Sequence, residues 1–308
     1  MNAAPKSRAH LVERAVEAMS GRAAAPPETL AAPPPPPPPP PPTGSGPGSG
    51  PGPRPSQPPA PEIGLDVLAA AGLVVAPVGT VRSRLSEEIA VVQHSVLRTL
   101  KATRATDGRC PRIVLITSAR PGEGKTFMAL NLAASLANSG TRPVVLVDVD
   151  GKQGSISQLL GQEDTPGLRM LAADPSRQAA TMLVPTAVKR LSLLSFGPLP
   201  ESVPGIPPGQ LVVAALLRLA AALPEHLIIL DTPPCLSTSD PGALAPVAGQ
   251  VLMVVEAERT QRSEVEAALD MVDSCPTLQL VLNRAVLTAN DTFGAYGGYG
   301  AYGAYSDR

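Results

Sequence analysis

One stretch, VLITSARPGEGKT from Val114 to Thr126, limits what this chain can fold into more than any other. An apolar run of β character, Ile113 to Ile116, enters a loop that carries Gly122 and Gly124 and closes on Lys125-Thr126. A helical pattern, FMALNLAASLANSG, follows at once, with Ala129, Leu132, Ala133 and Leu136 spaced for one helix face. Strand, glycine-bearing loop and helix, in that order, are the context of a phosphate-binding P-loop. The glycines let backbone N–H groups turn toward phosphate oxygens, the lysine brings a positive charge to the β- and γ-phosphates, and the threonine hydroxyl ligates Mg²⁺. The partial positive charge of the helix N-terminus falls on the same point. Gly122, Glu123, Gly124, Lys125, Thr126 and Phe127 are therefore the expected nucleotide cradle. The usual first glycine is Ala119, so the pattern reads A-x-x-x-x-G-K-T. A surface turn that merely contains GKT is the competing reading, and the flanking strand and helix tell against it.

From Arg112 onward the chain alternates strand-like and helix-like segments. The pattern predicts strands at 113–117, 144–147, 191–194, 227–230, 251–255 and 278–282, and helices at 125–138, 208–222, 241–247 and 260–273. The strand segments are nearly continuous Val, Leu and Ile, as suits a parallel sheet covered on both faces. A further helix is expected from Arg82 to Lys101, with Leu85, Ile89, Val92, Val96 and Leu100 on one stripe. Regular alternation implies an α/β domain with a doubly wound, mainly parallel sheet, a P-loop NTPase of about 210 residues, enough to bury a full core.

In such sheets ligands sit at the carboxyl ends of the strands. The P-loop is one such end. VVLVDVDGKQG is another, where the apolar run stops at Asp148 and Asp150, and LIILDTPP is a third, ending on Asp231. Topology brings these three acids to the phosphates held by Lys125, where Thr126, Asp148 and Asp231 are the expected Mg²⁺ ligands. A helix N-cap is the ordinary alternative for any one of these aspartates, but three beside one P-loop favour metal and catalytic duty. The last strand ends in VLNR, where Asn283, with Arg284 beside it, offers an amide to an adenine edge.

The ends of the chain have another character. Residues 9–19 read as a short amphipathic helix with Leu11, Val12, Ala15, Val16 and Met19 on one face, which needs a partner surface to be stable. Pro33 to Pro42 is an unbroken proline run, continued by Gly/Ser/Pro-rich sequence to Pro61. The first part is a polyproline rod and the second a flexible coil, a spacer more readily than a docking site. All four tyrosines, Tyr296, Tyr299, Tyr302 and Tyr305, lie three apart in the final FGAYGGYGAYGAYSDR. That composition cannot pack a core, and beside a nucleotide site it looks like a substrate. The expected organisation is thus a short helix in 1–24, a disordered linker over 25–62, an ATP-binding domain over 63–290 and a flexible tail over 291–308.

A net charge of −1 gives no electrostatic footprint for nucleic acid. Cys110, Cys235 and Cys275 lack metal-ligand spacing, and their odd number fits a reducing compartment. The N-terminus lacks the apolar core of a signal peptide, and no apolar run reaches the ~18–20 residues of a spanning helix. The expectation is a soluble cytoplasmic protein, recruited to the inner face of the membrane by a partner.

Together SARPGEGKT, VVLVDVD, LIILDTPP and the terminal tyrosine cluster resemble the bacterial tyrosine autokinases of polysaccharide export. HLVERAVEAM, GQVLMVVEAERT and the VLNR–tyrosine ending are similar to the exosortase-associated branch. The resemblance covers about 80–308 and the short N-terminal helix. It implies ATP-dependent autophosphorylation of the tail in trans between neighbouring subunits, hence self-association. It also implies a separate membrane partner, a chain-length regulator whose cytoplasmic tail activates the kinase. On this resemblance Lys125 and Thr126 fall on the phosphate-binding pair, Asp148 and Asp150 on the second acidic motif, one of them the base, and Asp231 on the third. Two positions depart from the pattern. Gly151-Lys152-Gln153 replaces the basic and proline residues usual after the second motif, and the E-x-x-R-x-x-R ring motif reads Val92, Ser95 and Arg98.

Two other readings stay open. One is a partitioning-type ATPase switch, which carries a lysine where Arg120 stands and leaves the tyrosine tail unexplained. The other is an ATP-binding scaffold with weakened kinase activity.

Overall fold

The computed structural model describes residues 62–75, 83–103, 108–198 and 208–285. The amphipathic helix expected within 1–24, the linker, and the tail with its four tyrosines lie outside the described residues.

Apolar strand sequences dictate the architecture. The strands are β1 Cys110–Ser118, β2 Val144–Asp148, β3 Val184–Pro185, β4 Leu191–Leu194, β5 Leu227–Asp231, β6 Ala248–Glu256 and β7 Leu278–Asn283. They form one sheet in the order β3-β4-β2-β5-β1-β6-β7. Every pairing is parallel except β3 with β4. Because side chains alternate across a strand, each apolar run feeds two cores. Ile113, Leu115, Val145, Val147, Ile228 and Leu230 face one, and Val114, Ile116, Val144, Leu146 and Ile229 face the other. This is the doubly wound α/β sheet that the alternation predicts.

Among the described residues the α-helices are α1 Leu65–Ala70, α2 Arg84–Ala102, α3 Lys125–Asn138, α4 Ile156–Leu159, α5 Leu168–Ala173, α6 Pro208–Ala222, α7 Asp240–Leu244 and α8 Arg262–Met271. The 125–138 and 208–222 expectations match α3 and α6 residue for residue. The 241–247 segment is a short α-helix running into a 3₁₀ turn, Ala245–Val247. Helix α2 begins where Ser83 accepts a hydrogen bond from the Ser86 N–H (3.1 Å), a side-chain N-cap. Its stripe is buried at Ile89 and Val96, but Leu85 at its start is 39% exposed. Composition gave no warning of β3, α1, α4 or α5, because each is too short for a periodicity to register.

The segment before α2 is fastened to the sheet and to the P-loop helix. Ile63 bridges to Thr186, and its N–H donates to the Pro185 carbonyl (2.9 Å). Asn131 lies in the middle of the apolar α3 and is fully buried. Its Oδ1 accepts from Val74 N (2.8 Å) and Val75 N (3.3 Å), while its Nδ2 donates to the carbonyls of Gly72 and Phe127 (both 2.9 Å). Asn131→Leu strips partners from that segment and is expected to destabilise the fold by about 2–3 kcal/mol, the cost of stranding buried backbone groups. Urea unfolding checks this through a lowered midpoint at unchanged slope.

Candidate functional site

Three neighbouring strands, β2, β5 and β1, point their carboxyl ends at one place. In register, Asp231 sits beside Ile116 on one side and Asp148 on the other. From β1 the chain turns into the P-loop, with Gly122 and Gly124 at φ of +87° and +97°, before α3 opens at Lys125. A Cβ on Gly124 would strike the amide nitrogen of Asn283, so that position is doubly reserved for glycine. Ala119, by contrast, needs no left-handed backbone. The loop is knitted there to the 231–236 segment by Cys235 N–H donating to Ser118 O (2.8 Å) and Leu236 N–H to Ala119 O (3.2 Å). The missing first glycine is thereby accommodated.

Lys125 is the hub. Its Nζ donates to Asp150 Oδ2 (2.7 Å) and to the Thr126 hydroxyl (3.1 Å), and lies 3.7 Å from Asp231 Oδ1. Burial pulls its pKa down, yet Asp231, Asp150 and Asp148 together outweigh burial and leave it raised. Asp231 is wholly inaccessible to solvent. Burial pushes its carboxyl pKa up to about 7, against the pull of Lys125, and Asp148 adds to the rise. Thr126 lies close enough to help hold the charge, but neither Asp231 oxygen meets a donor with sound hydrogen-bond geometry.

The second acidic motif divides its labour. Asp148 Oδ1 accepts from Asp150 N (2.9 Å) and Gly151 N (3.2 Å), and its Oδ2 from Ser157 N (3.0 Å), within the first turn of α4. Asp148 therefore takes up the capping role and shapes the 150–157 loop. Asp150 lines the cavity, and its Oδ1 is buried with no partner. That cavity, about 320 Å³, is walled by the P-loop residues Gly122, Gly124, Lys125 and Thr126 and by Lys152.

Four residues expected at the nucleotide, Glu123, Phe127, Asn283 and Arg284, have side-chain partners of their own in this structure. The Glu123 side chain turns inward, only 2% exposed, and accepts from Arg120 N (2.6 Å), from the Thr260 hydroxyl and from Glu256 N (3.4 Å). It is a strut between the P-loop and the loop after β6, leaving its backbone N–H for phosphate. Asn283 donates its amide to the Glu123 carbonyl (2.8 Å), so in this structure it braces the loop. Arg284 and Arg259 both pair with Glu256 Oε1 (3.0 and 3.1 Å), and their guanidiniums hold that carboxyl below the usual range. Phe127 is next to Gly72, on the side of the N-terminal segment. An Asn inside an otherwise apolar helix was the one available signal for Asn131. Nothing local marked the tie between Glu123 and Thr260, which are 137 residues apart.

Among the described residues no group of three His, Cys, Asp or Glu side chains could hold a metal by itself. The unpartnered oxygens of Asp231 and Asp150 beside the Thr126 hydroxyl fit Mg²⁺, which is bound by one or two carboxylates together with substrate phosphates. Among the described residues no helix is long and apolar enough to cross a membrane.

Comparison with known proteins gives a consistent result. Residues 109–299 match the family model described as ParA: NUBPL iron-transfer P-loop NTPase. The chain is 28% identical over 209 residues to the tyrosine-protein kinase YwqD of Bacillus subtilis (strain 168), which covers 66% of this chain and 85% of that protein. It is 34% identical over 160 residues to the putative tyrosine-protein kinase EpsB of Ralstonia nicotianae, 51% of this chain and only 20% of that longer protein. Among solved structures, the kinase domain of the Escherichia coli tyrosine kinase ETK superposes with a TM-score of 0.52 at 22% identity. It covers 67% of this chain and 77% of its own, a likeness that speaks for the fold.

Proposed function

The chain belongs to the ParA family of P-loop NTPases, and from that premise we propose that it is an ATP-dependent protein tyrosine autokinase of exopolysaccharide polymerisation and export. Its substrate is its own cluster Tyr296, Tyr299, Tyr302 and Tyr305. The reading is carried by Lys125 and Asp150 on one cavity, with Asp231 buried 3.7 Å from the lysine, in a chain similar over 66% of its length to a tyrosine-protein kinase.

The residues divide the work as follows. P-loop N–H groups and the N-terminus of α3 hold the β- and γ-phosphates. Thr126 and Asp231 would hold Mg²⁺, which would neutralise charge on the phosphoryl oxygens. A tyrosine hydroxyl has a pKa near ~10 and is protonated at neutral pH, so a base is useful at the moment of attack. The Asp150 carboxylate, which lines the cavity and whose Oδ1 has no hydrogen-bond partner, takes that role. The phenol oxygen forms its bond to the γ-phosphorus, and the bond from that phosphorus to the β–γ bridging oxygen breaks. ADP leaves with the electron pair, and the phenol proton passes to Asp150 and on to solvent. Lys125 stabilises the charge that develops on the phosphoryl oxygens. Asp148 acts through the loop it holds.

The exosortase-associated branch, a separate membrane chain-length regulator as activator, and a cytoplasmic site at the inner face of the membrane complete the proposal. They rest on the sequence motifs. Self-association would use a surface other than the altered ring motif. Ser95 donates to Gln279 Oε1 (2.8 Å) in β7, and Val92 packs against the core.

The partitioning-type switch is disfavoured at Arg120, which is engaged at 3.4 Å by Glu264 where that class carries its lysine. Replacing all four tail tyrosines by Phe is the test. The expected result is loss of all phosphate incorporation with nucleotide binding unchanged. Phosphate persisting on Ser or Thr would remove the tail as substrate.

A further inference from the structure

A second cavity, about 330 Å³, lies against the phosphate cavity and shares Lys152 and Gln153 with it. Glu163, Asp164, Arg169 and Phe196 complete its working surface. The Arg169 guanidinium sits over the Phe196 ring at 4.8 Å from the centroid, a cation–π stack. The walls are fixed by backbone bonds. Arg169 N–H donates to Phe196 O (3.0 Å), Leu168 N–H donates to Ser195 O (2.8 Å), and Phe196 N–H donates to the Ser157 hydroxyl (3.0 Å). Gly151, at φ of +56°, lets the 150–154 loop lie across the Phe196 ring, where any Cβ would collide. That explains a glycine directly after the second acidic motif.

We propose that this cavity is the docking subsite for the acceptor peptide, residues 293–305 of a second copy of this chain. One tyrosine ring anchors on the Arg169–Phe196 stack while a neighbouring tyrosine reaches the phosphate cavity. The proposal rests on the tail being the kinase substrate. Two observations select this occupant. The subsite has an aromatic ring, Phe196, under a guanidinium at its base, a surface that takes an aromatic ring, and the segment FGAYGGYGAYGAY carries all four tyrosines of the chain. In addition, tyrosines three apart on an extended chain stand about 10 Å from one another. That spacing suits two adjoining cavities with a common wall.

The test uses the full chain and an isotopically labelled synthetic peptide of residues 293–308, followed by mass spectrometry. Arg169→Ala is expected to raise the peptide KM about tenfold with ATP KM and melting temperature unchanged. Phe196→Leu, which keeps apolar bulk but removes the ring face, is expected to do the same. A peptide keeping only one tyrosine, the others changed to Ala, should show a KM about tenfold higher on the wild type and little changed on Arg169→Ala. Fluorescence anisotropy of labelled peptide with a non-hydrolysable ATP analogue present reads docking without catalysis. Transfer with the same peptide KM in wild type and both variants overturns the subsite and leaves the kinase reading standing. Arg169-dependent binding without any transfer, with the proposed activator's cytoplasmic tail added, keeps the cavity as a tail-binding site and overturns the kinase reading.

Discussion

Asp231→Asn is expected to give a protein harder to unfold at pH 8 than the wild type, yet without phosphotransfer. The wild-type carboxyl is fully buried, with its pKa moved from the ordinary 3.8 up to about 7. A raised acid pKa means that folding takes up a proton between those values. The contribution of Asp231 to stability is therefore fully present below about 4 and lost as pH rises through about 7. Above pH 7 the protein holds a buried carboxylate at a cost of a few kcal/mol. The amide carries no charge, so unfolding of Asp231→Asn monitored from pH 5 to pH 8 should show a much flatter profile than wild type. Activity should move oppositely, falling about 100-fold or more, because the proposed cation ligand is gone. A variant with the wild-type pH slope would show that Asp231 does not titrate in this range. The same property predicts proton release when Mg²⁺·ATP binds at pH 6, and little at pH 8.5. Calorimetry in two buffers of different ionisation enthalpy measures both.

Lys125→Ala should be the more damaging change in function and the more pH-dependent one in stability. Lys125 compensates Asp150 and Asp231 in a site nearly closed to solvent. Breaking a buried pair on one side typically costs about 3–5 kcal/mol while the partner stays charged. Here Asp231 can protonate instead, so the loss should be large at pH 8 and small at pH 5. Tail phosphotyrosine should fall about 1,000-fold, since the charge that stabilises the transferring phosphoryl group is absent. Adding Asp231→Asn to Lys125→Ala should recover stability at pH 8 and no activity. A double variant as unstable as Lys125→Ala alone would place the energetic partner of the lysine elsewhere.

Much of the fold was legible because it is built from long, uninterrupted apolar runs. Val144–Val147 and Leu227–Leu230 can only be strands buried on both faces, and their ends placed Asp148, Asp150 and Asp231 without any coordinates. What could not be read depends on which loops meet. Asp148 looks the same in sequence whether its oxygens face a metal or the N–H groups of Asp150, Gly151 and Ser157. Glu123 belongs to the P-loop by position, but its carboxylate is directed by Thr260 and Glu256, which only the β1–β6 pairing brings near. Asn283 sits where an adenine reader would be expected and instead braces the glycine loop. The Arg169–Phe196 stack joins residues from separate segments with no shared motif. Local pattern thus pointed to the P-loop and its acidic neighbours, and tertiary contacts decide the partners of each side chain.

Phosphorylation-site mapping of the full chain after incubation with Mg²⁺·ATP, the cytoplasmic tail of the proposed membrane activator included, tests the central claim most directly. The account predicts phosphate on tyrosines within Tyr296–Tyr305, in proportion to active protein and absent from Lys125→Ala. ATP consumed with free phosphate as the sole product and every tail tyrosine unmodified would contradict it, and would make this chain a nucleotide switch.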